Sequence, residues 1–235
     1  MTNKISTGAE FFDNYLRGGY EKNVVTTIYG PSGSGKTNLC LLAAVKVAEQ
    51  GKKVILVDTE GGVAVERIKQ LSASWETVLD QIIFFQPLNF EEQQEIFAGL
   101  KDFFNNEHNN IGLIVVDSIS MLYRLELGKS EAIFETNSAL ARQIASLVEI
   151  ARSRDIPVLI TNQVYADFNE RDKVKMVGGD LLKYGSKCLI ELLKRDVSNS
   201  DYDQNERVIV LKKHRSLPAG EELKFKIINN GIAEF

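Results

Sequence analysis

Gly30-Pro31-Ser32-Gly33-Ser34-Gly35-Lys36-Thr37 decides how the rest of the 235-residue chain is read. The stretch satisfies G-x-x-x-x-G-K-[ST] in full, and its flanks supply the strand and helix that the pattern requires. Before it, residues 24–29 form a β-branched run that reads as a buried strand. After it, residues 38–50 are apolar nearly all round and read as a buried helix stopped by Gly51. Glycines let the backbone wrap a phosphate with its N–H groups, and the helix N-terminus adds positive potential. Lys36 is placed to reach β- and γ-phosphates and the Thr37 hydroxyl to ligate Mg2+. Residues 30–37, with Asn38 in the helix's first turn, are therefore expected to hold ATP and Mg2+.

Outward from that turn, strands and helices alternate. Residues 54–57, 82–85, 113–116 and 157–161 read as further strands. Phe97, Leu100 and Phe104 recur at helical spacing, so 91–105 reads as a helix. Leu140, Ile144, Leu147, Val148 and Ala151 mark a long amphipathic helix ending at Arg154. Such alternation implies parallel βαβ units with helices on both faces of the sheet. After about residue 185 the pattern changes to strands with little helix between them, at 187–193, 207–212 and 223–228. In the last of these Leu223, Phe225 and Ile227 alternate with Lys224 and Lys226, so one face is wet. The expected fold is one α/β domain over residues 1–235, a mostly parallel sheet flanked by helices with antiparallel C-terminal strands.

Further side chains bear on the phosphate turn. Leu113-Ile114-Val115-Val116-Asp117 ends an apolar strand in an acid, which beside a P-loop can hold the hydration shell of Mg2+. Val57-Asp58-Thr59-Glu60 closes another strand, where a carboxylate either polarises the attacking water or merely faces solvent. Thr161-Asn162-Gln163 ends a third, and its amide either senses the γ-phosphate or satisfies a loop backbone. Lys212-Lys213-His214-Arg215 reads either as a pair of cations reaching a nucleotide across a subunit interface or as a solvated basic turn.

Composition sets bounds. Apolar residues make up 44% and charged residues 26%, which is ordinary for a soluble globular chain. No apolar run has the length of a membrane span, and the first residues lack a signal-peptide core. A cytoplasmic, membrane-free protein is expected. Cys40 and Cys188 sit in apolar stretches and read as small buried hydrophobes. With two cysteines, two histidines and no cluster of them, a zinc site is not expected. The net charge of −4 argues against a dedicated nucleic-acid binder.

Together these motifs resemble the RecA-type recombinases of archaea and eukaryotes, most closely the RadB family of short archaeal paralogues, over essentially the whole chain. Residues 5–8 through Gly18-Gly19 resemble the stretch that precedes the P-loop there. Val57-Asp58-Thr59-Glu60-Gly61 with Glu66-Arg67 resembles the segment Asp-Thr-Glu-Gly-x-Phe-x-Pro-Glu-Arg. The resemblance implies that Glu60 is the catalytic base and that Arg67 lies near the adenine. Thr161-Asn162-Gln163 matches the segment before the second DNA-binding loop, and Leu217-Pro218-Ala219-Gly220 and Gly231-Ile232 resemble the C-terminal strands. Lys213-His214-Arg215 is similar to a Lys-x-Arg pair in KaiC-type ATPases that approaches the neighbour's nucleotide.

This chain also departs from the recombinase pattern. Val63-Ala64-Val65 stands where recombinases carry Phe-Arg-Pro. Seven residues precede Gly8, which implies neither the N-terminal helical domain nor the Phe-x-x-Ala linker of strand-exchange proteins. Two stretches match the DNA-binding loops. In 119–133, Arg124 and Lys129 are offset by Glu126 and Glu131. In 164–177, Arg171, Lys173 and Lys175 are offset by Asp167, Glu170 and Asp172, with Tyr165 and Phe168 either stacking on bases or anchoring the loop.

The implied function is a slowly hydrolysing, ATP-binding accessory protein of homologous recombination and DNA repair. It would act with a RadA-type recombinase, bind single-stranded DNA weakly, and assemble either with itself or with its partner. A KaiC-like regulatory ATPase, an autonomous recombinase and an ATP-gated, non-catalytic binding module are the alternatives.

Overall fold

A computed structural model describes residues 3–106, 110–128, 133–166, 174–194 and 206–235. A short strand β1 (Lys4–Ile5) leads to helix α1 (Glu10–Tyr15), and β2 (Tyr20–Glu21) pairs antiparallel with β1. β3 (Val25–Tyr29) and α2 (Lys36–Glu49) flank the glycine-rich turn. There follow β4 (Lys53–Asp58), α3 (Val65–Leu71), α4 (Trp75–Asp80), β5 (Ile82–Phe85), α5 (Phe90–Asn106), β6 (Ile111–Asp117), α6 (Met121–Leu127), α7 (Ile133–Arg154) and β7 (Val158–Asn162). A small hairpin of β8 (Val164–Ala166) and β9 (Val174–Met176) precedes α8 (Gly179–Gly185). The last four strands are β10 (Cys188–Lys194), β11 (Glu206–Lys213), β12 (Glu222–Ile228) and β13 (Gly231–Glu234).

Nine strands form one sheet in the order β13-β12-β11-β10-β3-β7-β6-β4-β5. From β10 through β5 every neighbour is parallel. From β10 out to β13 every neighbour is antiparallel. This is the mostly parallel sheet with an antiparallel C-terminal edge that the change of pattern near residue 185 predicts.

Two hydrophobic layers cover the sheet, and strand periodicity assigns residues to them. Val54 and Leu56 pack into the layer built around α2, while Ile55 and Val57 pack on the opposite face. Leu113 and Val115 likewise face α2, and Ile114 and Val116 face the layer of α5 and α7. α2 is buried from Leu39 through Val45 and again at Val47 and Ala48, as its nearly all-apolar sequence requires. α7 buries Leu140, Ile144, Leu147 and Ala151 of the five residues whose spacing marks it, and leaves Val148 half-buried. Both cysteines are free and buried.

The stretch 119–133 is not simply a loop. Its middle forms α6, which buries Leu122 and Tyr123 and leaves Leu125 exposed, while Lys129 and Glu131 lie outside the described residues. The stretch 164–177 opens and closes as the β8–β9 hairpin, with Tyr165 and Lys175 exposed. Tyr165 is 47% accessible, so it does not anchor this segment in the core. Asp167, Phe168, Glu170, Arg171, Asp172 and Lys173 lie outside the described residues. No helix among the described residues is long and apolar enough to cross a membrane.

Candidate nucleotide-binding site

Parallel pairing brings the carboxyl ends of β3, β4, β6, β7 and β10 to one edge of the sheet, where ligands of open α/β sheets bind. The glycine-rich turn leaves β3 at that edge and enters α2. Gly33 (φ +68°) and Gly35 (φ +101°) occupy the left-handed region, which a Cβ would disfavour. Gly35 is the N-cap of α2 and supplies no side-chain cap, so no capping side chain competes for the first-turn N–H groups of the helix. Lys36 curls back across the turn, its Nζ donating to the carbonyls of Gly30 (3.0 Å) and Pro31 (2.9 Å). Burial pushes the Lys36 pKa down, against the opposing pull of Asp117 and Glu60.

Asp117 closes β6 beside the first turn of α2. Its Oδ2 accepts from Thr37 Oγ1 at 2.5 Å, and its Oδ1 accepts from Thr161 Oγ1 at the end of β7. Burial pushes its pKa up, and the two hydroxyl donors pull against that. A hydroxyl and a carboxylate are hard oxygen ligands, the kind Mg2+ takes when phosphate and water complete its shell. The donor set therefore fits a magnesium–nucleotide complex better than a protein-caged metal.

Glu60 stands exposed at the end of β4, on a turn pinned from beneath by Asp58. Asp58 Oδ1 accepts from the backbone N–H of Glu60 and of Gly62, both at 3.2 Å, and Oδ2 from Val63 N–H at 3.1 Å. Gln163 Nε2 donates to Glu60 Oε1 at 2.9 Å, so the acid and the amide that the sequence singled out meet across the site. The Gln163 carbonyl also accepts from Val177 N–H at 3.2 Å, and Asn162 Nδ2 donates to the Val177 carbonyl at 2.9 Å. The amide thus joins Glu60 to the far end of the β8–β9 hairpin.

Arg67 is spent on the fold. Its Nε donates to Asn38 Oδ1 (2.7 Å), Nη1 to Gln70 Oε1 and Asn229 O (2.7 Å each), and Nη2 to Ile228 O and Gly231 O (3.1 Å each). All five guanidinium donors are engaged. Arg67 ties α3 to the first turn of α2 and to the β12–β13 turn, one hydrogen bond from the P-loop helix.

Lys213 and Arg215 are not beside the chain's own P-loop. β11 runs antiparallel to β10, so its last residue, Lys213, lies toward the amino end of β3. Lys213 Nζ donates to the carbonyls of Lys183 (2.6 Å) and Ser186 (2.8 Å), which end α8. Arg215 Nε pairs with Glu21 Oε2 at 2.7 Å, and its Nη1 donates to Asn23 Oδ1 at 3.1 Å. Contact with a nucleotide would require a second chain and the surrender of these partners.

Sequence reasoning passed over Asp58 and Thr161, although each lies within a stretch it quoted. It also passed over Lys194 and Arg207, which strand pairing brings to the same turn.

Known proteins are similar to this chain over nearly its whole length. The Rad51 family model matches residues 2–235. The DNA repair and recombination protein RadB of Methanobrevibacter smithii is 43% identical over 232 residues, covering 97% of this chain and 95% of that protein. The protein of the same name from Methanoculleus marisnigri is 40% identical, covering 98% of each. A solved crystal structure of the RadB recombinase superposes with a TM-score of 0.80 at 36% identity, over 98% of this chain and 99% of that one.

Proposed function

The chain belongs to the Rad51 family, and from that premise we propose that it is an ATP-binding, slowly hydrolysing accessory protein of DNA recombination and repair. The observation that carries the nucleotide reading is the 2.5 Å bond between Thr37 and Asp117, which ties the P-loop helix to the acid ending β6. Magnesium bound with the nucleotide would neutralise charge on the phosphates. The chain's own groups do the rest. The first-turn N–H groups of α2 hold phosphate oxygens. Lys36 exchanges the carbonyls of Gly30 and Pro31 for phosphate oxygens. Thr37 and Asp117 hold the metal's shell. Glu60 accepts a proton from the water that attacks the γ-phosphorus as the bond to the ADP oxygen breaks. Gln163 reports the occupancy of that position to the β8–β9 hairpin.

Slow hydrolysis is expected because Lys213 and Arg215 are committed elsewhere in the fold, away from the chain's own P-loop. Weak, sequence-indifferent binding of single-stranded DNA follows from the balanced charge of 119–133 and 164–177. The partner supplying strand-exchange activity is a RadA-type recombinase. Phosphate release measured with and without single-stranded DNA and such a recombinase tests this. Slow turnover and no strand exchange by this chain alone support an accessory role, and autonomous strand exchange overturns it.

A further inference from the structure

Lys194 and Arg207 are register partners across β10 and β11, at the carboxyl end of the sheet and one strand away from the P-loop strand β3. Arg207 Nε donates to the Gly33 carbonyl at 3.3 Å, and its Nη1 to the Glu206 carbonyl at 3.2 Å. The exposed corner of the P-loop is thereby fastened to β11. Lys194 closes on the same residue. Its Nζ lies 2.8 Å, and its Cε 3.3 Å, from the point where a Cβ on Gly33 would stand. A side chain at 33 would push this flexible ammonium aside, so it is the left-handed backbone that calls for glycine, and the close approach shows that Lys194 reaches the P-loop turn.

Lys194 is exposed and has no ion pair or hydrogen bond among the described residues. Its charge reaches Lys36 and helps to lower that residue's pKa, behind the larger effect of burial. Two ammonium groups thus converge on one turn of backbone and repel each other. Such a pair is stabilised by a ligand carrying several negative charges.

We propose that Lys194 is a second phosphate-binding cation of the nucleotide site, supplied by the same chain that supplies the P-loop, with Arg207 fixing the turn against which it works. This rests on reading residues 30–37 as the nucleotide site. It gives the site a second cation, beside Lys36, from the chain that supplies the P-loop.

The test is titration of Mg·ATP into wild type, Lys194→Ala, Lys194→Arg and, as a control for loss of one surface charge, Lys183→Ala. Lys194→Ala is expected to weaken binding about tenfold at low salt, the scale of one charge-assisted contact. Lys194→Arg should restore most of that, and the deficit should shrink as salt rises. Lys183→Ala should match wild type. Equal affinity of wild type and Lys194→Ala overturns this inference and leaves the nucleotide site standing. Loss in Lys194→Ala without rescue by Lys194→Arg, accompanied by a lower Tm of the nucleotide-free protein, overturns it in favour of a packing role. Failure of the wild type to bind Mg·ATP overturns the site and the inference together.

Discussion

At the carboxyl end of the parallel strands Lys36 rests on two loop carbonyls and Asp117 on two hydroxyls, whereas at the amino end Arg215 rests on the Glu21 carboxylate and Lys213 on the carbonyls that end α8. Both ends carry cations, and their employment differs. Glu21 is 7% accessible, and removing its cation leaves a carboxylate with little water to turn to. Lys36 at the other end gives up only neutral carbonyls to reach a phosphate. A charged motif is therefore informative about function according to what it must relinquish. By that measure the P-loop end is poised for a ligand and Arg215 is first of all part of the fold, while Lys213, which like Lys36 rests on carbonyls, is set apart by its place at the opposite end of the strands.

The largest expected effect lies at the carboxyl end. Glu60→Gln keeps the shape of the side chain and its contact with Gln163 but removes the base. Turnover should fall about 1,000-fold while Mg·ATP affinity stays within a factor of a few. Single-turnover hydrolysis beside equilibrium binding checks this. Normal hydrolysis would mean that the base is elsewhere and that the two ends differ less than their geometry says.

A smaller effect, and one on stability, is expected at the amino end. Arg215→Ala should destabilise the fold by about 2 kcal/mol, because Glu21 and Asn23 lose a partner. ATP turnover per folded molecule should be unchanged. Denaturant unfolding measured beside turnover separates the two. Lost turnover with intact stability would move Arg215 into the reaction and favour the interface reading of Lys213-His214-Arg215.

How much of this was legible in the sequence depended on how the contacts are spaced along the chain. The turn 30–37 is contiguous, and its strand and helix flank it directly, so it could be read whole. Asp117 was legible because an apolar run ends on it. Glu60 needed a family pattern, since nothing local separates it from a solvent-facing acid. Arg67 could be suspected of a role but not of this one, because its partners at Ile228, Asn229 and Gly231 lie some 160 positions away. Lys194 and Arg207 reach Gly33 only through the pairing of β10 with β11, a register that no local signal announces. Part of 119–133 became α6 because Leu122 and Tyr123 bury against the core, which a charge count over the segment does not register.

The smallest expected effect is a pH dependence of stability. His214 is buried beside Glu21 with Arg215 and Lys4 near, and burial lowers its pKa, Glu21 pulling the other way. The folded state favours the neutral ring, so the unfolded chain binds the proton first. Its contribution is fully present above the unfolded value, about 6.5, and is lost as pH falls from there through the lowered folded value. Thermal unfolding from pH 7.5 to 5.5 should show a decline that His214→Gln flattens. An unaltered profile in that variant would assign the decline to other groups.

The claim that the nucleotide chemistry resides in one chain, at the carboxyl end of the sheet, is tested most directly by calorimetric titration of Mg·ATP into wild type and Lys36→Ala, at protein concentrations a factor of about 100 apart. The account predicts one nucleotide per chain, a Kd that does not change with protein concentration, and a loss of about 100-fold in Lys36→Ala, the scale of a strong charged contact. Binding that strengthens as the protein is concentrated, or that is indifferent to Lys36→Ala, would contradict it.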